Sequence, residues 1–155
     1  MTTTLVQARM TNPVMVIDGA MAALTDAHNA ALSSGLAREL SYLVEVRASQ
    51  INGCSYCVEM HARELKSAGV PEEKIWAVGA WRESPHFTAD ERAALALTEC
   101  MTRLADRSDP VSDEVFDEAA RHFDTVQLSG LIMEIALINV WNRINVTVRQ
   151  PAGRG

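Results

Sequence analysis

The stretch INGCSYCVEMH, Ile51 to His61, carries two thiols three residues apart and an imidazole four residues beyond the second. If Cys54 to Ala68 forms one helix opening just after Gly53, then Cys54, Cys57 and His61 fall at i, i+3 and i+7, on one face. The first turn of a helix presents unpaired N–H groups and the positive end of the dipole, and both favour thiolate over thiol. A neighbouring imidazole can take a thiol proton or give one to a leaving oxygen. Two sulfurs at this spacing can close a disulfide once one of them is oxidised. An acidified thiol, a resolving thiol and a proton carrier within two turns suit the reduction of a peroxide. The dipole alone would make Cys54, nearer the helix start, the more acidic of the two.

Other readings of the same residues stand beside this one. Two cysteines can simply pack in a core. Zinc also takes Cys-x-x-Cys with His, but a structural site needs four ligands. Only His28, His86, His122 and Cys100 remain as isolated candidates for the fourth. A thioredoxin-like dithiol needs a βαβ context that the pattern lacks. The chain has 155 residues, a net charge of -6 and three cysteines, an odd number. The acidic balance argues against nucleic acid and against anionic membranes. No apolar run approaches the roughly 20 residues that span a bilayer. The first residues lack the charged and apolar regions of a signal peptide. The expected location is the cytoplasm, where paired cysteines read as catalytic or metal-binding.

The elements that must position these groups have helical period almost throughout. An apolar stripe of Ile17, Ala20, Met21, Leu24, Ala27 and Ala31 ends at Ser33-Ser-Gly35. A second helix is predicted over Leu36 to Ile51, and the motif helix runs from Cys54 to Ala68, stopped by Gly69. Pro71 opens a short helix through Trp81. Thr88 and Glu91 form a capping box for a helix to about Leu104. Ser112 caps another through His122. Asp124 opens a long apolar helix to about Asn145. The one β-branched competitor is Asn145-Val-Thr-Val-Arg-Gln150. The expected organisation is a single all-α domain over residues 1–148 and a flexible tail over 149–155. The last helix is apolar nearly all round, from Leu128 to Val140, so it is expected to be covered on every side, in part by other subunits of an obligate homo-oligomer.

The segments RASQINGCSYCVEMHARELKSAGV, WAVGAWRESPHFTADERAALALTE and INVWNRINV stand in order between about Leu36 and Val146. Together they resemble the alkylhydroperoxidase AhpD-like branch of the carboxymuconolactone decarboxylase superfamily. The resemblance implies an AhpD-like helical bundle assembled as a homotrimer or homohexamer. It implies peroxiredoxin-type reduction of a hydroperoxide substrate, with Cys57 attacking, Cys54 resolving and His61 transferring protons. It implies no metal and no cofactor, so electrons must come from an external lipoyl-type dithiol or thioredoxin-like reductant. The alternative is a non-catalytic or other dithiol-redox member of the superfamily. AhpD enzymes also carry a glutamate about three turns before the first cysteine. Here Tyr42 holds that position, and Glu45, three residues later, is the candidate to stand in for it. The spacer Ser55-Tyr56 lacks the second histidine of such enzymes.

Other residues invite weaker readings. Glu134, inside an apolar run, is expected to be a satisfied core or interface carboxylate. Asn139, Asn142 and Asn145, spaced by three, are expected to hold a subunit interface or the end of the motif helix. Trp76 and Trp81 are expected in the core or a pocket wall, Cys100 as a small buried hydrophobe, Glu91 as a cap and Glu99 on the surface.

Overall fold

The computed structural model describes residues 6–153. Among these residues all regular structure is helical, in the order α1 (Pro13–Val16), α2 (Ala20–Leu32), α3 (Arg38–Asn52), α4 (Ser55–Ser67), α5 (Glu72–Ala77), a 3-10 turn (Val78–Ala80), α6 (Ala89–Thr102), α7 (Asp113–His122) and α8 (Thr125–Val148). The all-α expectation is met.

Helix α3 lies at the centre and packs against α4, α6 and α8. Three apolar clusters share it. Leu36, beside the start of α3, joins Leu40 and Val44 in meeting Ala94, Leu97, Leu131 and Ile135. Leu43 and Val46 meet Leu65, Val78, Trp81, Phe87 and Leu95. Ala48 meets Cys54, Cys57 and Ile138. Each large aliphatic side chain buried this way contributes about 1.5–3 kcal/mol. A helix buried on three sides has little freedom to shift, so whatever it carries toward α4 is held in place. The α3–α4 connection is equally tight. Gly53 adopts a left-handed conformation (φ 70°) that ends α3. Cys54 follows at once as the N-cap of α4.

Several boundaries differ from the sequence reading. The short α1 was not anticipated; Asn12 caps it and Pro13 opens it. The first long helix begins at Ala20 rather than Ile17, after Gly19 in the left-handed region. The helix after Pro71 ends at Ala77 and tightens into the 3-10 turn before Trp81. Helix α6 stops at Thr102. Helix α8 runs on to Val148, so the β-branched segment is helical, its propensity overridden by packing.

Three side chains are placed otherwise than expected. Trp76 is 72% exposed. Cys100 is half-buried. Glu99 is buried, because Arg47, Arg82 and the Trp81 indole all donate to it. Helix α8 is not covered all round by its own chain either. Val126, Met133 and Val140, seven residues apart, form an exposed apolar line. By length and composition α8 could cross a membrane, but half of its apolar window is buried in the fold.

Candidate active site

Cys54 and Cys57 are free thiols, 2% and 1% exposed. The Cys57 backbone N–H donates to Cys54 Sγ at 3.4 Å, so the first cysteine acts as the side-chain cap of the helix that holds the second. Asn145, near the end of α8, donates from Nδ2 to Cys57 Sγ at 3.3 Å. The acidity of the pair is therefore opposite to the dipole expectation. A hydrogen bond from the Cys54 thiol is the largest influence on Cys57. That bond, with the amides of Asn145 and Asn142 and the charge of His61, outweighs burial and brings Cys57 down to about 6. Cys54 is pushed strongly up, first by sharing its proton with Cys57 and then by burial. Two adjacent sulfurs resist a double negative charge, and the amides settle the thiolate on Cys57.

His61 is buried, on the face of α4 that carries Cys57. Its Nδ1 lies 2.7 Å from Glu64 Oε2, in hydrogen-bonding geometry. It also lies 3.2 Å from Glu45 Oε2, which is off the donor direction and otherwise unpartnered. Burial by itself would lower the imidazole. The Glu64 hydrogen bond and the charges of Glu45, Glu64 and Cys57 more than compensate, and it is raised. With Nδ1 taken by carboxylates, Nε2 is the ring nitrogen left for a reacting group. Tyr42, at the position where a glutamate was sought, stacks on this ring with centroids 6.4 Å apart. Glu45 is raised to about 7, chiefly by desolvation.

A second pair adjoins the first. Glu134, 1% exposed, accepts from Ser41 Oγ at 2.5 Å and lies 3.0 Å from His28 Nδ1. It is a core carboxylate satisfied only in part: Ser41 serves Oε2, while Oε1 faces His28 at ion-pair distance without a hydrogen bond in the donor direction. His28 is raised, foremost by its contact with Glu134. Two groups of side chains bring potential metal-ligating atoms within 4.8 Å of one another: His28, Glu45 and Glu134, and Glu45, His61 and Glu64. Neither includes a cysteine. Among the described residues, then, the Cys-x-x-Cys pair and His61 do not converge as zinc ligands.

The structure brings Cys54, Cys57, His61 and Glu45 together. A cavity of about 410 Å³ opens onto three of them, Cys57, His61 and Glu45, and has Val14, Met15, Met21, Leu24, Met60 and Trp141 among its apolar walls. The asparagine series is bound within the chain. Asn52 donates to Asn139 and Asn142, Asn142 donates to Ser49, and Asn145 reaches the sulfur. Asn145 is the site residue that sequence reasoning put down as purely structural. Its spacing of three from Asn142 was the signal that it faces the motif.

A model of the carboxymuconolactone decarboxylase family matches residues 18–99, more than half of the chain. The chain belongs to the carboxymuconolactone decarboxylase family. Its AhpD-like character is supported by ATU0492 of Agrobacterium tumefaciens, a protein of unknown function proposed to be the antioxidant defence protein AhpD. The two are 34% identical, with a TM-score of 0.87 over 96% of this chain and 100% of that one. Among curated relatives, the uncharacterized protein YdfG of Bacillus subtilis is 34% identical over 77% of this chain and 80% of its own. The uncharacterized protein YnjA of Escherichia coli is 33% identical over 71% of this chain and 59% of its own. The debrominase Bmp8, 24% identical with a TM-score of 0.64 over 76% of this chain and 61% of its own, shares the fold.

Proposed function

We propose that this family member is a cysteine-dependent hydroperoxide reductase of the AhpD type. The observation that carries the reading is Cys57, its sulfur held by the Asn145 amide at 3.3 Å beside a second thiol, in the lining of a largely apolar cavity. A thiol brought down to about 6 is mostly thiolate at neutral pH. The Cys57 thiolate attacks one oxygen of the peroxide. The O–O bond breaks, the alkoxide takes the proton carried by His61 and leaves as an alcohol, and Cys57 becomes a sulfenic acid. Cys54 then attacks that sulfur, its proton leaves with the hydroxyl as water, and a disulfide closes. Glu45 and Glu64 hold His61 in the tautomer and charge state this transfer needs. An external dithiol or thioredoxin-like protein restores both thiols.

We place this chemistry in the cytoplasm, where a dithiol is kept reduced, and in a homotrimer or homohexamer. The apolar line of Val126, Met133 and Val140 supports the assembly. Replacing Met133 and Val140 by lysine should dissociate the oligomer in light scattering. A monomeric parent at micromolar concentration would refute the assembly.

The test of the reaction is thiol loss after mixing with tert-butyl hydroperoxide. Cys57→Ser should consume none beyond background. Cys54→Ser should react once and stop at a sulfenic acid that dimedone traps on Cys57. A sulfenic acid on Cys54 instead, or a parent whose Cys57 stays reduced, would overturn the reading.

A further inference from the structure

The two cysteines line different openings. Cys57 lines the apolar cavity with Met15, Met21, Met60 and Trp141, and Cys54 does not. Cys54 lines a separate, more polar groove with Arg9, Ser55, Thr147 and Arg149, and Cys57 does not. Asn145 stands between the two openings. Its amide nitrogen holds the Cys57 sulfur, while its Oδ1 accepts from Asn12 at 2.8 Å.

The groove is cationic in a chain of net charge -6. Arg9 and Arg149 are the charged side chains that line it, with no carboxylate among its walls. Both are exposed, and among the described residues neither has a carboxylate within ion-pair distance. Arg9 is anchored there. Its backbone N–H donates to Val148 O at 2.8 Å and its Nη1 to Thr147 O at 3.0 Å. Arg149 is the one non-glycine residue of the described chain with a positive φ, 54°. It is the left-handed C-cap that ends α8, its backbone N–H directed to Asn145 O and Val146 O.

We propose that oxidant and reductant use separate entrances: the hydroperoxide meets Cys57 through the apolar cavity, and an anionic dithiol meets Cys54 through the Arg9–Arg149 groove. This rests on the reading that the pair cycles between dithiol and disulfide. The chemistry of exchange agrees. A thiolate of the incoming dithiol attacks Cys54 Sγ, the Cys54–Cys57 bond breaks, and Cys57 leaves as a thiolate. Disulfides release the sulfur of lower pKa faster, and Cys57 is that sulfur, already supported by Asn145. The second thiol of the same reductant then attacks the sulfur its partner delivered. Cys54 leaves and takes a proton, and the reductant departs as a cyclic disulfide. Two electrons and one proton have moved from the external dithiol to the pair, with Cys57 left as the thiolate. Attack at Cys57 would instead expel Cys54, the thiol pushed upward in pKa and the poorer leaving group.

The test starts from protein oxidised with diamide, so that making the disulfide does not depend on peroxide. Its reduction is timed with dihydrolipoate, which carries a carboxylate, and with the neutral dihydrolipoamide. At low salt the anion should be faster by about fivefold, the advantage shrinking at 0.5 M salt as charges are screened. Arg9→Gln combined with Arg149→Asn, asparagine being tolerant of a positive φ, should bring the anion-to-neutral rate ratio down to about one. In a parallel reaction with glutathione, quenched early, fragment masses should place glutathione on Cys54. Equal rates for the two dithiols in the parent, or glutathione on Cys57, would overturn the proposal. A disulfide that forms with diamide but not with peroxide would defeat the proposed function and the hydroperoxide entrance with it, and leave the reductant entrance at Cys54 standing. No disulfide with either oxidant would defeat both.

Discussion

Glu45 and Arg47 stand two residues apart on α3, Arg47 as a partner of one buried carboxylate and Glu45 as another. Arg47 reaches out to Glu99, with Nε 2.8 Å from Oε1. Trp81 Nε1 donates to the same oxygen at 2.9 Å, and Arg82 to the other at 2.6 Å. Burial would raise Glu99, but these three donors outweigh it and hold the carboxyl below its usual range. Glu45 is the second carboxylate. Its nearest partner, His61 Nδ1, is off axis and already hydrogen-bonded to Glu64, so desolvation wins and the group rises to about 7. Helix α3 thus contributes a donor to a saturated carboxylate on α6 and carries an unsaturated one itself. The saturated site is a clamp that keeps its charge at any ordinary pH. The unsaturated one changes charge near neutrality, which is the property a proton carrier's neighbour needs.

Removing the clamp should produce the largest effect. Glu99→Ala leaves the largely buried guanidinium of Arg47 and the Trp81 N–H without their acceptor. The expected cost is about 3 kcal/mol or more, because an uncompensated buried charge remains. Denaturant unfolding measures it. Thiol reactivity of the folded fraction should stay close to the parent's, since no atom of the sulfur site is touched. A loss of under 1 kcal/mol would mean that the three donors find water instead, and that the two carboxylates differ less than their surroundings suggest.

The unsaturated site should respond the other way, in rate more than in stability. His61→Gln keeps a hydrogen-bonding side chain of similar size beside Glu45 and Glu64 but cannot exchange the proton. Peroxide-dependent loss of the Cys57 thiol should slow by roughly 10²-fold, the scale of losing a general acid–base partner. Raising the pH from 6 to 9 should recover part of the loss by generating thiolate directly, although the leaving oxygen still lacks its donor. A rate equal to the parent's across that range would assign His61 a purely structural role.

Much of this contrast could be read from the sequence, but not all of it. The i, i+3, i+7 spacing placed Cys54, Cys57 and His61 on one helix, and the cap and stop residues located that helix to within about one residue. Local rules sufficed because each of these features depends on neighbours within two turns. The acidity order did not follow from them. Asn145 reaches Cys57 from 88 residues away, and helix-dipole reasoning has no access to a donor supplied by tertiary packing. Glu99 failed for the same reason. Its donors come from α3 and from the turn beside Trp81, so a position that looks solvated along α6 is buried by other elements. Glu45 was accessible only through the resemblance. The glutamate sought twelve residues before Cys54 is Tyr42, and one helical turn further on Glu45 meets His61 from the same helix face. The apolar pattern of α8 correctly announced burial but overstated it, because periodicity counts apolar residues without saying which of them the chain's own fold leaves exposed.

The smallest expected effect is the dependence of stability on pH, and it separates the two carboxylates by sign. For Glu99 the folded pKa lies below the unfolded one. Its stabilisation is present above the unfolded value and is lost as pH falls through the folded value, so nothing changes between pH 5.5 and 8. For Glu45 the folded pKa is about 7 against an ordinary 4.5. The native state then holds a proton that the unfolded state has lost over that window, so stability falls as pH rises from about 5 to above 7. The full shift corresponds to on the order of 3 kcal/mol, and local rearrangement around the ionised group should reduce the observed slope to about 2 kcal/mol. The raised histidines add to the same slope: their contribution is present below about 6.5 and is lost as pH climbs through their folded values. Glu45→Gln should therefore flatten the curve without abolishing it, gaining stability at pH 8 relative to the parent and changing little at pH 5.5. Urea unfolding at those two pH values, for parent and variant, is the measurement. A parent curve that is flat, or a variant with the parent's slope, would show that Glu45 stays ionised throughout. The carboxylate beside His61 would then be a second clamp rather than a group that exchanges its charge.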